Sequence, residues 1–281
     1  MEMAGTPNKY RIYINDTSSD ITNTNVVAKQ YKMMRENQTY DYALRMKLDN
    51  TDRLQSGNGI QMRVIDAILE LDDFYDLSDP DMSLSNVHHL FQTAESMRNA
   101  GKDEWFQLTG LIHDLGKIMF LNGRAVDGTS VDAQWGVVGD TYILGCRLQN
   151  DKVFPEFDEL CPDMNDNKMN TKLGVYHTGH GIMNCTFTWG HDEYLYDVIK
   201  YNRSIGNVSD KFPIMADNII RLHSLYPYHT YDKYSEFESV DGTDAKIKKY
   251  VQDFNKYDLY TKVDKKVNIE ELKEYYVIDM S

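Results

Sequence analysis

Apolar residues recur along this chain at intervals of three and four, the spacing of one helix face. IQMRVIDAILELDDFY puts Val64, Ile65, Ile68, Leu69 and Leu71 on one broad side. VHHLFQTAESMRNAG lines up Leu90, Ala94 and Met97 and ends in Gly101, a C-capping residue. DEWFQLTGLIHDLGKIM repeats Trp105, Leu108, Leu111 with Ile112, Leu115 and Ile118. GHDEYLYDVIKYN carries His191, Tyr194, Leu195 and Val198 on one face, with acids in its first turn where the helix dipole favours them. SDKFPIMADNIIRLHSLYP is a further helix, with Pro213 near its start and Pro227 at its end. Residues 120–172 break the rhythm: Gly, Asn and Asp are frequent, WGVVGDTYIL is strand-like, and FPEFDELCPDMNDNKMN reads as an acidic surface loop. The pattern predicts a mainly α, all-helical domain with a long irregular insertion and a polar N-terminal arm.

Composition changes the picture only by exclusion. The chain has 281 residues, enough to bury a sizeable core, and 41% of them are hydrophobic, which excludes wholesale disorder. Its net charge of −14, with no local Lys/Arg cluster, disfavours nucleic acid and anionic membranes but leaves a neutral substrate unopposed. Cys146, Cys161 and Cys185 have no metal-like spacing, and an odd count suits a reducing compartment. The start, MEMAGTPNKYRIYIND, has no apolar core of a secretory signal, and no apolar run reaches membrane-spanning length. A cytoplasmic, monomeric protein is expected.

The candidate chemistry lies in histidines. His89, His113, His191 and His223 each sit on, or at the edge of, an apolar helical face. Any one alone reads better as an ordinary core or surface histidine; four on separate helices do not. Asp114 follows His113 within the apolar run GLIHDLGKIM, and Asp258 lies in the aromatic stretch FNKYDLYTK. Helical bundles build metal sites by aiming such side chains inward from facing helices. Imidazole with carboxylate suits iron, manganese or zinc. On a continuous helix, His113 and Asp114 point in different directions, so both ligate only if Asp114 bridges two ions. Gly116 would then let backbone or substrate come close.

The order His, His-Asp, distant Asp is similar to the HD-domain superfamily. HHLFQTAE, GLIHDLGK, TWGHDEYLY and RLHSLYPYHT with FNKYDLYTK follow in one order, and YRIY and DLSDPD (76–81) accompany them. Together they resemble the myo-inositol oxygenase family over roughly residues 10–275. The resemblance implies an HD-domain-like helical bundle forming one domain, with an N-terminal arm or lid over residues 1–25, a catalytic core over 26–275 and a tail over 276–281. It implies a mixed-valent Fe(II)/Fe(III) pair, O2 as co-substrate, and cleavage of the myo-inositol ring to D-glucuronate. One iron would be held by His89, His113, Asp114 and Asp258, the other by Asp114, His191 and His223. Lys117 matches the lysine that contacts inositol, and Arg11 matches a lid residue. Asp76, Leu77, Ser78, Gly139, Asp140, Ser224 and Lys262, with His223, fall where the family binds inositol hydroxyls. Without the resemblance, Asp76 reads as a helix cap, Gly139-Asp140 as a turn and Arg11 as a surface charge.

The chain departs from the pattern in places. His88 precedes His89, and the register of FQTAE selects His89. His180 and Met183, in HTGHGIMNCTF, are unusual for the family, and segments 148–170 and 203–213 look like surface insertions. Two rival classes remain: an HD-type metal-dependent phosphohydrolase, disfavoured by scarce Arg/Lys around the site, and a binding protein with a relic site, disfavoured by retention of all six ligands.

Overall fold

The structure is a computed structural model that describes residues 21–78, 85–137, 139–258 and 267–279. Arg11 and Lys262 lie outside the described residues. The chain is mainly helical, and no strand occurs among the described residues. WGVVGDTYIL forms only isolated bridges, Val137 to Gly190 and Ile143 to Phe187, which pin it to the chain leading into the helix at His191.

Two helices precede those that periodicity picks out. α1 (Ile21–Asn37) buries Val27, Tyr31 and Met34, and α2 (Tyr40–Gln55) buries Tyr42, Ala43 and Met46. Thr39 caps α2 by accepting from the Tyr42 amide. α1 also buries Arg35, which donates to Asp158 and to the Val153 carbonyl, while Lys152 pairs with the same Asp158. The acidic stretch 154–170 is therefore not wholly a surface loop. Asp158 is a counter-ion for two buried cations, and Cys161 is fully buried.

α3 (Val64–Glu70) is shorter than its periodicity suggests and turns Val64 outward. α4 (Asn86–Asn99) ends as expected, with Gly101 at φ +70°. α5 (Glu104–Ile112) stops at His113 instead of running on to Met119. The chain tightens into a 3-10 turn over Leu115–Lys117 and resumes as α6 (Ile118–Leu121). The cause is steric. A Cβ at Gly116 would lie 2.0 Å from the His191 carbonyl oxygen, so this turn abuts the start of α7 (His191–Ser204) and only glycine fits. The close approach foreseen at Gly116 is made by backbone. α8 (Ile214–Leu222) ends at His223, and Pro227 begins the short α9 (Tyr226–His229) rather than closing α8.

α10 (Thr243–Asp258) packs on α4, α5, α8 and α9, and α11 (Ile269–Asp279) packs on α4. Tyr276 of α11 is buried and donates to Glu95. α4, α5, α7, α8 and α10 thus converge, and each supplies a histidine or aspartate at or near its end.

Candidate metal centre

Five helices bring six side chains to one buried point. His89 comes from α4, His113 and Asp114 from the break after α5, His191 from the first residue of α7, His223 from the end of α8 and Asp258 from the last turn of α10. All six are at most 6% exposed. His89 Nε2 lies 3.0 Å and His113 Nε2 3.3 Å from Asp258 Oδ1. Asp114 turns one oxygen to each side. Its Oδ2 is 3.7 Å from His113 Nε2, while Oδ1 is 3.1 Å from His191 Nε2 and 3.4 Å from His223 Nε2. His89, His113 and Asp114 form one group within metal-holding reach, and Asp114, His191 and His223 form another.

The donor set fits cations between these atoms. His113 Nδ1 lies 2.8 Å from the Gly110 carbonyl, His223 Nδ1 2.8 Å from that of Ile220, and His191 Nδ1 3.2 Å from that of Val137. A carbonyl only accepts, so each Nδ1 carries the proton and each Nε2 presents a lone pair inward. Yet His191 and His223 Nε2 face each other at 3.4 Å, both against Asp114 Oδ1. Acceptors converging on acceptors call for a positive charge among them, and carbonyl-oriented imidazoles are the usual support of a metal site. Without a cation, only protonation would satisfy the rings. Burial opposes it, but Asp192 and Asp114 outweigh burial and push His191 up to about 10. Burial likewise works to raise Asp114, and Lys117 and His113 outweigh it, leaving the carboxyl well below the usual carboxylate range. Asp258 follows the same logic, with His113 and His89 overcoming burial.

Lys117 is buried and not directed to solvent. Its ammonium lies 2.8 Å from Asp114 Oδ2, 3.1 Å from Asp76 Oδ2 and 3.3 Å from Asn86 Oδ1. Three residues per 3-10 turn eclipse positions 114 and 117, which brings the two side chains closer than a continuous α-helix would. From Asp76 the polar wall continues. Ser78 donates to Asp76 through both N–H (2.8 Å) and hydroxyl (2.6 Å), so Asp76 accepts within a loop and caps no helix. The Leu77 amide donates to Gln134. A Cβ at Gly139 would lie 2.5 Å from Tyr31 Oη and 2.9 Å from Ser78 Oγ, so a side chain there would have to push those two hydroxyls aside. Asp140 is buried beside it, and the Thr141 amide donates to the Ser224 carbonyl.

Several supports carry little or no sequence signal. Gln38, between α1 and α2, donates to the carbonyls of Trp135 and Trp189 and accepts from the Trp189 amide, fixing the strand-like chain two residues before His191. Asp192 is 2% exposed, with Oδ1 2.6 Å from His191 Nε2 and 3.4 Å from the Ser224 hydroxyl. An acid in the first turn of α7 was its only trace in the sequence. Glu193 accepts from Arg221, which also donates to the backbone carbonyls of Met183 and Cys185. The unusual Met183 is therefore engaged through its backbone, and His180 instead pairs with His177 at 3.3 Å.

Residues 24–280 match the family model described as myo-inositol oxygenase. The chain is 40% identical over 278 residues to inositol oxygenase of Mus musculus, covering 98% of this chain and 88% of that protein. It is 38% identical over 253 residues to inositol oxygenase of Dictyostelium discoideum, covering 89% and 81% respectively. It is 37% identical over 254 residues to a probable inositol oxygenase of Oryza sativa subsp. japonica, covering 89% and 76%.

Proposed function

Because the chain belongs to the myo-inositol oxygenase family, we propose that its buried His/Asp cluster holds two irons and cleaves the myo-inositol ring with O2 to give D-glucuronate. It is a metal-dependent oxygenase acting on an inositol ring, a small-molecule substrate. The supporting observation is the two-sided Asp114, with one oxygen toward His113 and the other toward His191 and His223. His89, His113, Asp114 and Asp258 would hold one iron, and Asp114, His191 and His223 the other. When bound, a mixed-valent Fe(II)/Fe(III) pair supplies O2 activation and the Lewis acidity that anchors a substrate hydroxyl.

The chain's own residues do the rest. A polyol offers only hydroxyls, so its orientation depends on paired donors and acceptors. Lys117, held between Asp114 and Asp76, directs its ammonium at a substrate oxygen on the Asp114 side. Asp76 and Ser78, the backbone at Leu77 and Gly139, and Asp140 and Ser224 serve the remaining hydroxyls, with Lys262 assigned to the same task. Arg11 is assigned to a lid that excludes water during turnover. The phosphohydrolase alternative is not favoured, since the Mus musculus, Dictyostelium discoideum and Rattus norvegicus relatives are each named inositol oxygenase. No described helix is long and apolar enough to cross a membrane. A cytoplasmic monomer remains the proposed state.

The test loads the purified chain with iron, measures bound metal, and follows O2 uptake with myo-inositol beside phosphate release from a panel of esters. Two irons per chain and inositol-dependent O2 uptake are expected. Mononuclear iron in an active preparation, or phosphate release without O2 uptake, would overturn the reading.

A further inference from the structure

A buried ion pair stands two residues away from each of two proposed ligands. Glu193 follows His191 by two positions at the start of α7, and Arg221 precedes His223 by two at the end of α8. Both are 4% exposed. The guanidinium grips the carboxylate as a fork, donating from Nε to Oε2 at 2.7 Å and from Nη2 to Oε1 at 2.9 Å. Further N–H groups reach the Met183 and Cys185 carbonyls, and the central carbon lies 4.5 Å from the ring centre of Phe187 and 4.7 Å from that of Tyr196. Lys47 of α2 adds a second cation to Glu193. The guanidinium is thus held on its edge and against its face.

The pairing runs antiparallel: residue 191 meets 223, and 193 meets 221. Residues two apart on a helix point about 200° apart, so the fork and the imidazole pair join α7 to α8 on roughly opposite sides of their contact. A buried ion pair is a poor source of stability, since apolar residues of the same volume often serve as well. What a two-bond fork supplies is a fixed distance and direction. An ion shared by His191 and His223 needs that constancy, because both rings must be held in place before it arrives. If α7 rolled on α8, the two Nε2 atoms, now 3.4 Å apart, would move relative to each other. We propose that Glu193 and Arg221 are positioning residues, whose fork sets the separation of His191 and His223 and so controls iron affinity on the Asp114, His191 and His223 side alone. The inference rests on the two-iron reading of the cluster.

The test titrates iron-loaded protein with a competing chelator and follows each iron by metal analysis and Mössbauer spectroscopy. The parent should hold two irons. Arg221→Lys keeps the charge but, as a point charge on a flexible stem, cannot make the fork. It should bind the iron on the His191 and His223 side about ten- to a hundredfold more weakly, with the other iron at parental affinity. Glu193→Leu combined with Arg221→Met removes both charges together and leaves Lys47 paired with Asp197; it should show the same selective loss. Ile199→Ala, about two turns further along α7, controls for loosened packing and should lower Tm while keeping both irons at parental affinity. The proposal is overturned if either folded variant of the pair holds both irons as the parent does, if the two irons weaken equally, or if Ile199→Ala loses the same iron to the same degree. Should Arg221→Lys not fold, the double variant decides; a double variant that does not fold would make the pair a requirement of the fold and overturn the positioning role. A parent holding fewer than two irons is the failure of the two-iron reading itself, and this inference falls with it.

Discussion

Lys117 shows how a single side chain is fixed before any substrate arrives. Its charge lies between the carboxylates of Asp114 and Asp76, all three buried. A charge-assisted hydrogen bond contributes about 1.5–3 kcal/mol, so Lys117→Met should lower kcat/KM by about ten- to a hundred-fold while bound iron stays near the parent level. Near-normal turnover would remove the substrate role, and loss of iron with activity would make the lysine a support for Asp114. The neighbouring histidines can be separated in the same way. His89 faces Asp258 at 3.0 Å, so His89→Ala should abolish activity and deplete iron, and His88→Ala should do neither; equal losses would leave the assignment without support. Asp197 offers a pH test away from the ligands. Burial, with help from Glu193, raises its carboxyl to about 6 against the pull of Lys47. The folded chain therefore holds a proton that the unfolded chain has already released, and stability falls as pH rises from about 4 to about 6, by up to about 3 kcal/mol. Asp197→Asn should flatten that slope and raise Tm at pH 7. An unchanged slope in urea titrations across the window would refute it.

At the scale of elements, the junctions between helices were harder to read than the helices. Apolar periodicity located α4, α5, α7 and α8, because each buries one face. It missed α1 and α2, whose outward faces and buried polar groups such as Gln30, Arg35 and Asn50 blur the stripe. It also ran α5 on through His113, since Leu115 and Ile118 keep the helical spacing. The break there is imposed by α7, a contact between distant segments that no local pattern encodes. His89, His113, Asp114, His191, His223 and Asp258 were legible as candidates because polar residues among apolar ones stand out. Their carbonyl partners at Gly110, Val137 and Ile220 were not, since backbone atoms leave no trace in residue type. Gly116 tests the junction directly. A methyl at that position must move the His191 backbone away from 2.0 Å, and overpacking of this kind costs about 1–3 kcal/mol. Gly116→Ala should fold with reduced Tm and lose iron from the Asp114, His191 and His223 side first, leaving about one iron per chain by metal analysis. Full iron content at parental Tm would show that the turn can yield.

Across the whole molecule, the convergence that suits a metal depends, without one, on protons held by the rings beside the carboxylates. Five helices end on a common point where imidazole nitrogens and carboxylate oxygens face one another, and burial denies them water. Each cation bound there takes the place of such protons and ties several helix ends to one centre, so metal affinity should appear as stability of the fold. A ligand present at a hundred times its dissociation constant adds about 2.7 kcal/mol, and for a chain of this size that corresponds to about 5–10 °C in Tm. Chelation of the iron-loaded protein should lower Tm by that amount, and adding iron back should restore it. Asp114→Asn separates this from a general effect of the chelator. It keeps the side chain's size but removes the charge shared by both groups of ligands, so its Tm should stand near that of the chelated parent and respond to neither chelator nor iron. A parent whose Tm is indifferent to chelation would mean that the six side chains are held by the fold without contributing metal-linked stability, and the electrostatic account of the cluster would fail with it.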